Sequence, residues 1–208
     1  MHKNKIKAIL YDLDGVLVDA CDWHYHSLNR ALKEVVGYDI SREDHISVFN
    51  GLPTNTKLEM LGIDGSKARD VWRRKQDYTI DVIEEMAMPT EEKTELHEET
   101  KSMGIKSCCV TNSINMTAEL MLKKTDQLKY MDFIIANEDV VNNKPNPDCY
   151  LLAISSLQLK PEECLIVEDS PKGLEAAYDT GAHVLEVENS LEVNKENIIN
   201  ALMGVAIS

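Results

Sequence analysis

Basic residues are scarce in this chain. Across 208 residues, 22 lysines and arginines face 36 aspartates and glutamates, for a formal charge of -14. That balance repels nucleic acid and anionic membranes unless a local basic patch intervenes. The densest basic stretch, Arg73-Arg74-Lys75, is too short to form one. No segment approaches the roughly 20 apolar residues that a membrane span needs. A signal-peptide core is also missing, because Met1 to Lys7 is polar and runs straight into an apolar stretch. There is no Cys-x-x-Cys, and the cysteines number five: Cys21, Cys108, Cys109, Cys149 and Cys164. Three of them sit in or beside apolar runs and read as small reduced core residues, which suits a cytoplasmic protein. Internal repeats and low-complexity tracts are absent. What remains is a globular chain long enough for one good core plus a small appended domain.

The strand candidates are short, apolar and widely spaced: Ile6–Tyr11, Ile105–Val110, Phe133–Ala136, Cys164–Val167 and His183–Val187. Helical patterns lie between them, so the expected fold class is α/β, a doubly wound parallel sheet covered on both faces. Ser170-Pro171 should start a helix, with Leu174, Ala177 and Tyr178 on its apolar face and Gly181 at its end. The helix from about Thr90 to Met103 is polar, with Leu96 and Met103 as its visible anchors. No convincing strand occurs between Asp19 and Met88. Leu28, Ala31, Leu32, Val35 and Val36 share one helical face, and Ser41 with Asp44 resembles a capping pair. Pro53 to Leu61 forms a short helix. Ser66 opens a long one bearing Ala68, Val71, Trp72, Tyr78, Val82, Ile83 and Met86. The expected organisation is a core domain over 1–18 and 89–208 and an inserted all-helical cap domain over 19–88. An integral helical layer of a single domain fits the same pattern.

In a doubly wound sheet, ligands sit beyond the carboxyl ends of the strands. Asp12 and Asp14, beside Gly15, follow the first strand. Thr111, Asn112 and Ser113 follow the second. Lys144-Pro145-Asn146-Pro147-Asp148 comes after the third, and Glu168, Asp169 and Ser170 follow the fourth. Carboxylates brought together cost free energy unless a cation fills the space, and a divalent metal with a phosphate substrate suits such a rim. Each piece also fits a plain structural role. Thr111 and Ser113 suit helix caps, Lys144 a solvated loop, and Glu168-Asp169 a helix start.

With these elements the chain resembles the haloacid dehalogenase-like superfamily over nearly its whole length. Asp12-Leu13-Asp14-Gly15-Val16-Leu17-Val18-Asp19 and Lys144-Pro145-Asn146-Pro147-Asp148 are similar to its phosphoglycolate phosphatase and beta-phosphoglucomutase-like branch. The resemblance implies a Rossmann-like core, a helical cap and a phosphatase acting on a small phosphorylated metabolite. By it, Asp12 is the nucleophile and forms an aspartyl-phosphate, and Asp14 is the general acid and base. Mg²⁺ is held by Asp12, the Asp14 carbonyl and Asp169, with Glu168 orienting it. Lys144 neutralises charge, while Thr111, Asn112 and Ser113 meet the phosphoryl oxygens. His24 and Lys75 are expected at the substrate from the cap. Asp14 argues against the dehalogenase and phosphonate-hydrolase branches, which have no second acid there. A sugar-phosphate mutase is the alternative, and a non-catalytic phosphate-ligand-binding relative a further one. Two departures weigh against the mutase. Thr54, in Gly51-Leu52-Pro53-Thr54, stands where mutases carry an arginine, and Ala20 replaces a hinge threonine. The expected assembly is a monomer or weak homodimer without nucleic-acid or membrane partners.

Overall fold

The computed structural model describes residues 6–49 and 52–207. Gly51 therefore lies outside the described residues. The chain divides into two compact units, one made of 1–19 with 88–208 and the other of Ala20–Ala87.

The first unit is built on a five-stranded parallel sheet in the order β3-β2-β1-β4-β5. Its strands are β1 (Ala8–Tyr11), β2 (Lys106–Val110), β3 (Phe133–Ile135), β4 (Cys164–Glu168) and β5 (His183–Glu186). β1, β2 and β4 are almost wholly buried, as expected for parallel strands covered on both faces. Four of the five strands are shorter than the apolar runs because pairing stops before the apolar residues do, while β4 runs one residue further, to Glu168. Ile6 and Ile105, for example, are buried without belonging to a strand.

The helices of this unit are α5 (Glu91–Ser102), α6 (Asn115–Lys124), α7 (Asp148–Ser156), α8 (Pro171–Tyr178) and α9 (Lys195–Ile207). Two sequence expectations fail here. Met103 is 39% exposed and does not anchor α5, which instead buries Lys93, Leu96, His97 and Thr100. Lys93 can be buried because its ammonium donates to the carbonyls of Val16 at 3.0 Å, Ser190 at 2.7 Å and Val193 at 2.7 Å. His97 pairs with Gln127 at 3.0 Å. In α8, Tyr178 is 59% exposed, and the small residues Gly173, Ala176 and Ala177 form the buried face. A small face lets the helix lie close to the sheet.

The second unit is helical throughout: α1 (Cys21–Val36), α2 (Arg42–Asp44), a π-turn (His45–Phe49), α3 (Thr54–Met60) and α4 (Gly65–Met86). Ser41 caps α2 by accepting from the Asp44 N–H at 3.0 Å. Leu28, Ala31, Leu32, Ile40, Phe49, Leu58 and Val71 form its core. Trp72 and Met86, expected on the inner face of α4, are exposed, and Thr79 is buried in their stead. The Thr79 hydroxyl donates to the Lys75 carbonyl at 2.7 Å, which satisfies it without solvent. All five cysteines are free, and four of them are buried. Among the described residues no helix is long and apolar enough to cross a membrane.

Candidate active site

Strand register assembles the site. Tyr11 of β1 stands opposite Cys109 of β2 and Val167 of β4. The next residue of each strand therefore falls at the same level, and Asp12 lies beside Val110 and Glu168 at the carboxyl edge. The Asp12 N–H extends the ladder by donating to the Val167 carbonyl at 3.0 Å.

Lys144 reaches into this edge from the loop before α7, and its side chain is 3% exposed. Its ammonium meets Asp12 Oδ1 and Glu168 Oε1 at 2.6 Å each, the Tyr150 hydroxyl at 2.8 Å and the Val110 carbonyl at 2.9 Å. Burial pulls this ammonium down, but Asp12, Tyr150 and Glu168 together outweigh it. Its pKa stands well above the ordinary lysine value. Pro145 and Pro147 stiffen the loop, and they are not its only restraint. Asn112 clamps it, its Oδ1 accepting from the Lys144 N–H at 3.1 Å and its Nδ2 donating to the Lys144 carbonyl at 3.2 Å.

Glu168 is fully buried and both its oxygens are engaged. Oε1 accepts from Lys144 and, at 2.9 Å, from the Tyr150 hydroxyl. Oε2 accepts from the N–H groups of Asp169 and Ser170 and from the Ser170 hydroxyl. Asp169 differs, because its Oδ1 is buried without a hydrogen-bond partner. Burial, followed by the charge of Glu168, pushes the Asp169 carboxyl up to about 6. Burial also raises the Asp12 carboxyl, with Lys144 pulling against it and Glu168 and Asp14 adding to it.

Ligand atoms of Asp12, Glu168 and Asp169 all lie within 4.8 Å of one another. Three carboxyls thus share one ammonium, and one carboxylate oxygen has nothing to bind. Such a donor set fits a hard divalent cation. Gly15 gives it room. With φ at +87°, a side chain there would be strained, and its Cβ would fall 2.0 Å from Asp169 Oδ2.

Asp14 is half-buried and its Oδ2 accepts from the Ser113 hydroxyl at 2.8 Å. Thr111 is 2% exposed, and its hydroxyl accepts from the Ser113 N–H at 3.0 Å. Neither caps α6, since Ile114 holds the cap position and the Asn115 N–H goes to Glu138 at 2.7 Å. The acid pair likewise does not cap α8. Ser170 does so, by accepting from the Gly173 N–H at 3.1 Å. His24 and Lys75 lie in α1 and α4 of the helical unit, each half-buried.

Sequence reasoning missed Tyr150 and Gly173 as supports of the site. Tyr150 is fully buried, and the Lys144 ammonium sits 4.6 Å from its ring centroid. A Cβ on Gly173 would fall 1.8 Å from Glu168 Oε1. Two effects of Gly173→Ala therefore oppose each other. Helix propensity favours alanine by about 1 kcal/mol. The clash meets a carboxylate already fixed by five donors and should win. The variant should melt below wild type and lose activity, whereas Gly204→Ala, where nothing lies within 4 Å, should melt at or slightly above it. Thermal melts of the two variants decide the matter.

The chain is similar to known proteins over most of its length. Over 187 residues the chain is 30% identical to a protein of Caldanaerobacter subterraneus subsp. tengcongensis provisionally named pyrophosphatase PpaX, covering 90% of this chain and 84% of that one. It is 28% identical to the phosphorylated carbohydrates phosphatase of Thermotoga maritima, covering 85% and 82%. A crystal structure of beta-phosphoglucomutase from Clostridium difficile shares the fold, with a TM-score of 0.77 at 23% identity over 98% of this chain and 100% of that one. Residues 9–187 match the family model for haloacid dehalogenase-like hydrolases, and the chain belongs to that family.

Proposed function

We propose that this protein is a Mg²⁺-dependent phosphatase that hydrolyses a small phosphomonoester through an aspartyl-phosphate on Asp12. One observation carries the reading: Lys144 holds Asp12 at 2.6 Å beside Asp169, whose Oδ1 is unpartnered. The two curated relatives named for cleavage of phosphate bonds support it.

In this reading an Asp12 carboxylate oxygen attacks phosphorus, and Lys144 fixes the carboxylate while offsetting the charge that gathers on the phosphoryl oxygens. Asp14, steadied by the Ser113 hydroxyl, gives a proton to the leaving alkoxide and later takes one from the attacking water. Thr111, whose hydroxyl accepts from the Ser113 N–H, presents its hydroxyl proton to the phosphoryl group, while the Ser113 hydroxyl is spent on Asp14 and acts through that carboxyl. Asn112 spends its side chain on the Lys144 backbone, so its part in binding falls to its N–H. Asp12, the Asp14 carbonyl and Asp169 would hold Mg²⁺. Glu168, with both oxygens occupied, would act chiefly by positioning Lys144 and the Asp169 backbone. When bound, the ion supplies positive charge to the phosphoryl oxygens and offsets the carboxylate excess. Free cysteines, four of them buried, suit a reducing compartment, and on that ground the protein is assigned to the cytoplasm.

A panel of sugar phosphates, nucleotides, phosphoglycolate and pyrophosphate, assayed with Mg²⁺ and with chelator, tests the reading. Turnover that stops with chelator and returns with Mg²⁺ is expected. Failure to turn over every ester would favour the non-catalytic relative. The mutase alternative draws on His24 and Lys75 and is opposed by Thr54. Hexose 1-phosphate separates the two, since the hydrolase releases free phosphate and a mutase yields hexose 6-phosphate.

The metal reading has a pH signature. The Asp169 carboxyl is raised from its ordinary value to about 6. Between those two values the folded protein binds more protons than the unfolded chain, so metal-free stability falls as pH rises through about 6. Mg²⁺ competes with that proton. The rise in melting temperature caused by Mg²⁺ should be small near pH 5 and grow to a plateau above about pH 7. Scanning calorimetry across that range checks it, and an equal rise at both ends would count against Asp169 as a ligand.

A further inference from the structure

The turn that follows Asp12 is held from behind by side chains that the reaction above leaves unused. Its internal hydrogen bonds converge on the Leu13 carbonyl, which accepts from the N–H groups of Val16 at 3.3 Å, Leu17 at 3.0 Å and Val18 at 3.0 Å. The Gly15 N–H donates to the Val18 carbonyl at 2.7 Å. Val16 and Leu17 are both buried, so their carbonyls need donors from other parts of the chain. Lys93 of α5 meets the first, its ammonium donating to the Val16 carbonyl at 3.0 Å. Gln127 meets the second. Its Nε2 donates to the Leu17 carbonyl at 3.0 Å and to the Thr125 hydroxyl at 2.9 Å, and its Oε1 lies 3.0 Å from His97 Nε2. Lys93 and His97 stand one helical turn apart on the buried face of α5. Between them they secure two successive carbonyls of one turn, directly and through Gln127.

Lys93 is 8% exposed, and burying an ammonium costs free energy unless acceptors converge on it. Here they do. Besides Val16, the Ser190 and Val193 carbonyls accept at 2.7 Å each, from the segment between β5 and α9. An apolar side chain would cost less to bury but would take this donor from three carbonyls at once. The lysine therefore ties α5, the 190–193 segment and the turn together at one point. At its other end the turn is fixed by the sheet, where the Asp12 N–H donates to the Val167 carbonyl at 3.0 Å. Asp14 and Gly15 lie between these two anchors. Gly15 sits so close to Asp169 that an added Cβ would fall 2.0 Å from Oδ2. A shift of the turn therefore changes the spacing of Asp14, Asp169 and the Ser113 hydroxyl that Asp14 accepts from at 2.8 Å.

We propose that Lys93, seconded by Gln127 on the next carbonyl, is a positioning residue of the phosphatase: by holding the Val16 carbonyl it fixes the turn that carries Asp14, and so sets the aim of the acid that protonates the leaving group. The proposal rests on the hydrolase reading for the role of Asp14 and on the three hydrogen bonds of Lys93 for the tether. Its consequence is selective. An alkoxide needs a proton as it departs, whereas a dinitrophenolate leaves without one. Loosening the turn penalises alkyl esters, while general loss of structure penalises every ester alike.

Two measurements test it. The first needs no activity: amide hydrogen exchange of the metal-free protein, read by mass spectrometry. In Lys93→Met, which keeps the stem and removes the donors, peptides spanning 13–18 and 188–194 should exchange severalfold faster than in wild type, with β4 little changed. An increase over 13–18 no larger than that over β4 overturns the tether, and so does one confined to 188–194. The second is kcat/KM, which reports the steps through departure of the leaving group, for glycerol 1-phosphate and for 2,4-dinitrophenyl phosphate with Mg²⁺. Lys93→Met should lower the first about 10- to 100-fold, mainly through kcat, and the second by less than about threefold. Lys93→Arg, which keeps a cation with its donors, should restore most of the alkyl-ester rate. Gln127→Met, which takes the donor from the Leu17 carbonyl, should move the ratio of the two esters in the same direction as Lys93→Met and carries both readouts if that variant does not fold. Equal losses for both esters, or no loss for either, overturn the positioning role. Faster exchange over 13–18 in the variant, with a wild type that turns over neither ester, would strike the hydrolase reading and leave the tether standing.

Discussion

Asp12→Asn is expected to reduce turnover of an aryl phosphate by at least about 10⁴-fold while leaving the fold intact, because it removes the nucleophile itself. The side chain keeps its volume, and Lys144 keeps Glu168, the Tyr150 hydroxyl and the Val110 carbonyl as partners. The buried cluster also loses one of its excess negative charges, so metal-free stability should hold or rise. Far-ultraviolet circular dichroism and a melt, run beside the phosphatase assay, separate lost chemistry from lost structure. Residual activity near wild type would reject Asp12 as nucleophile whatever the fate of the rest of the site.

Lys144→Met should have the largest effect on stability. It leaves Asp12 and Glu168, both buried, with no cation between them. Breaking a buried pair by removing one partner costs about 3–5 kcal/mol, which for a chain of this size corresponds to roughly 10 °C in melting temperature. Mg²⁺ should recover part of that loss. So should a second substitution, Glu168→Gln, which removes one of the stranded charges, and the recovery in the double variant measures their coupling. Melts of the single and double variants without metal test this. A Lys144→Met protein as stable as wild type would mean that the carboxyls are neutral in the metal-free state. Activity should be lost in both variants.

The residues legible in the sequence are those whose position follows from strand ends. Asp12, Thr111 and the Glu168-Asp169 pair come directly after apolar runs, and parallel register makes such residues meet at one edge. Lys144 was legible because Pro145 and Pro147, on either side of Asn146, stiffen the loop that carries it. Tyr150 was hidden because a tyrosine six residues into a loop and helix looks like ordinary core, and only the fold brings its hydroxyl to Lys144. Gly173 was hidden because its role is to leave space. The α5 anchors failed for another physical reason. Lys93 and His97 are polar by composition but are buried against carbonyls and an amide supplied from distant segments. Trp72 and Tyr178 erred in the opposite direction, since helical periodicity names a face but not how wide the buried part of it is.

The most direct measurement of the central claim is capture of the covalent intermediate. Wild-type protein turning over an ester with Mg²⁺ is quenched in acid, reduced with borohydride and digested, and the peptide spanning Asp12 is read by mass spectrometry. The account predicts homoserine at position 12, the reduction product of an aspartyl-phosphate, and none in Asp12→Asn. Modification of another residue, or brisk turnover that leaves every carboxyl unmodified, would contradict it.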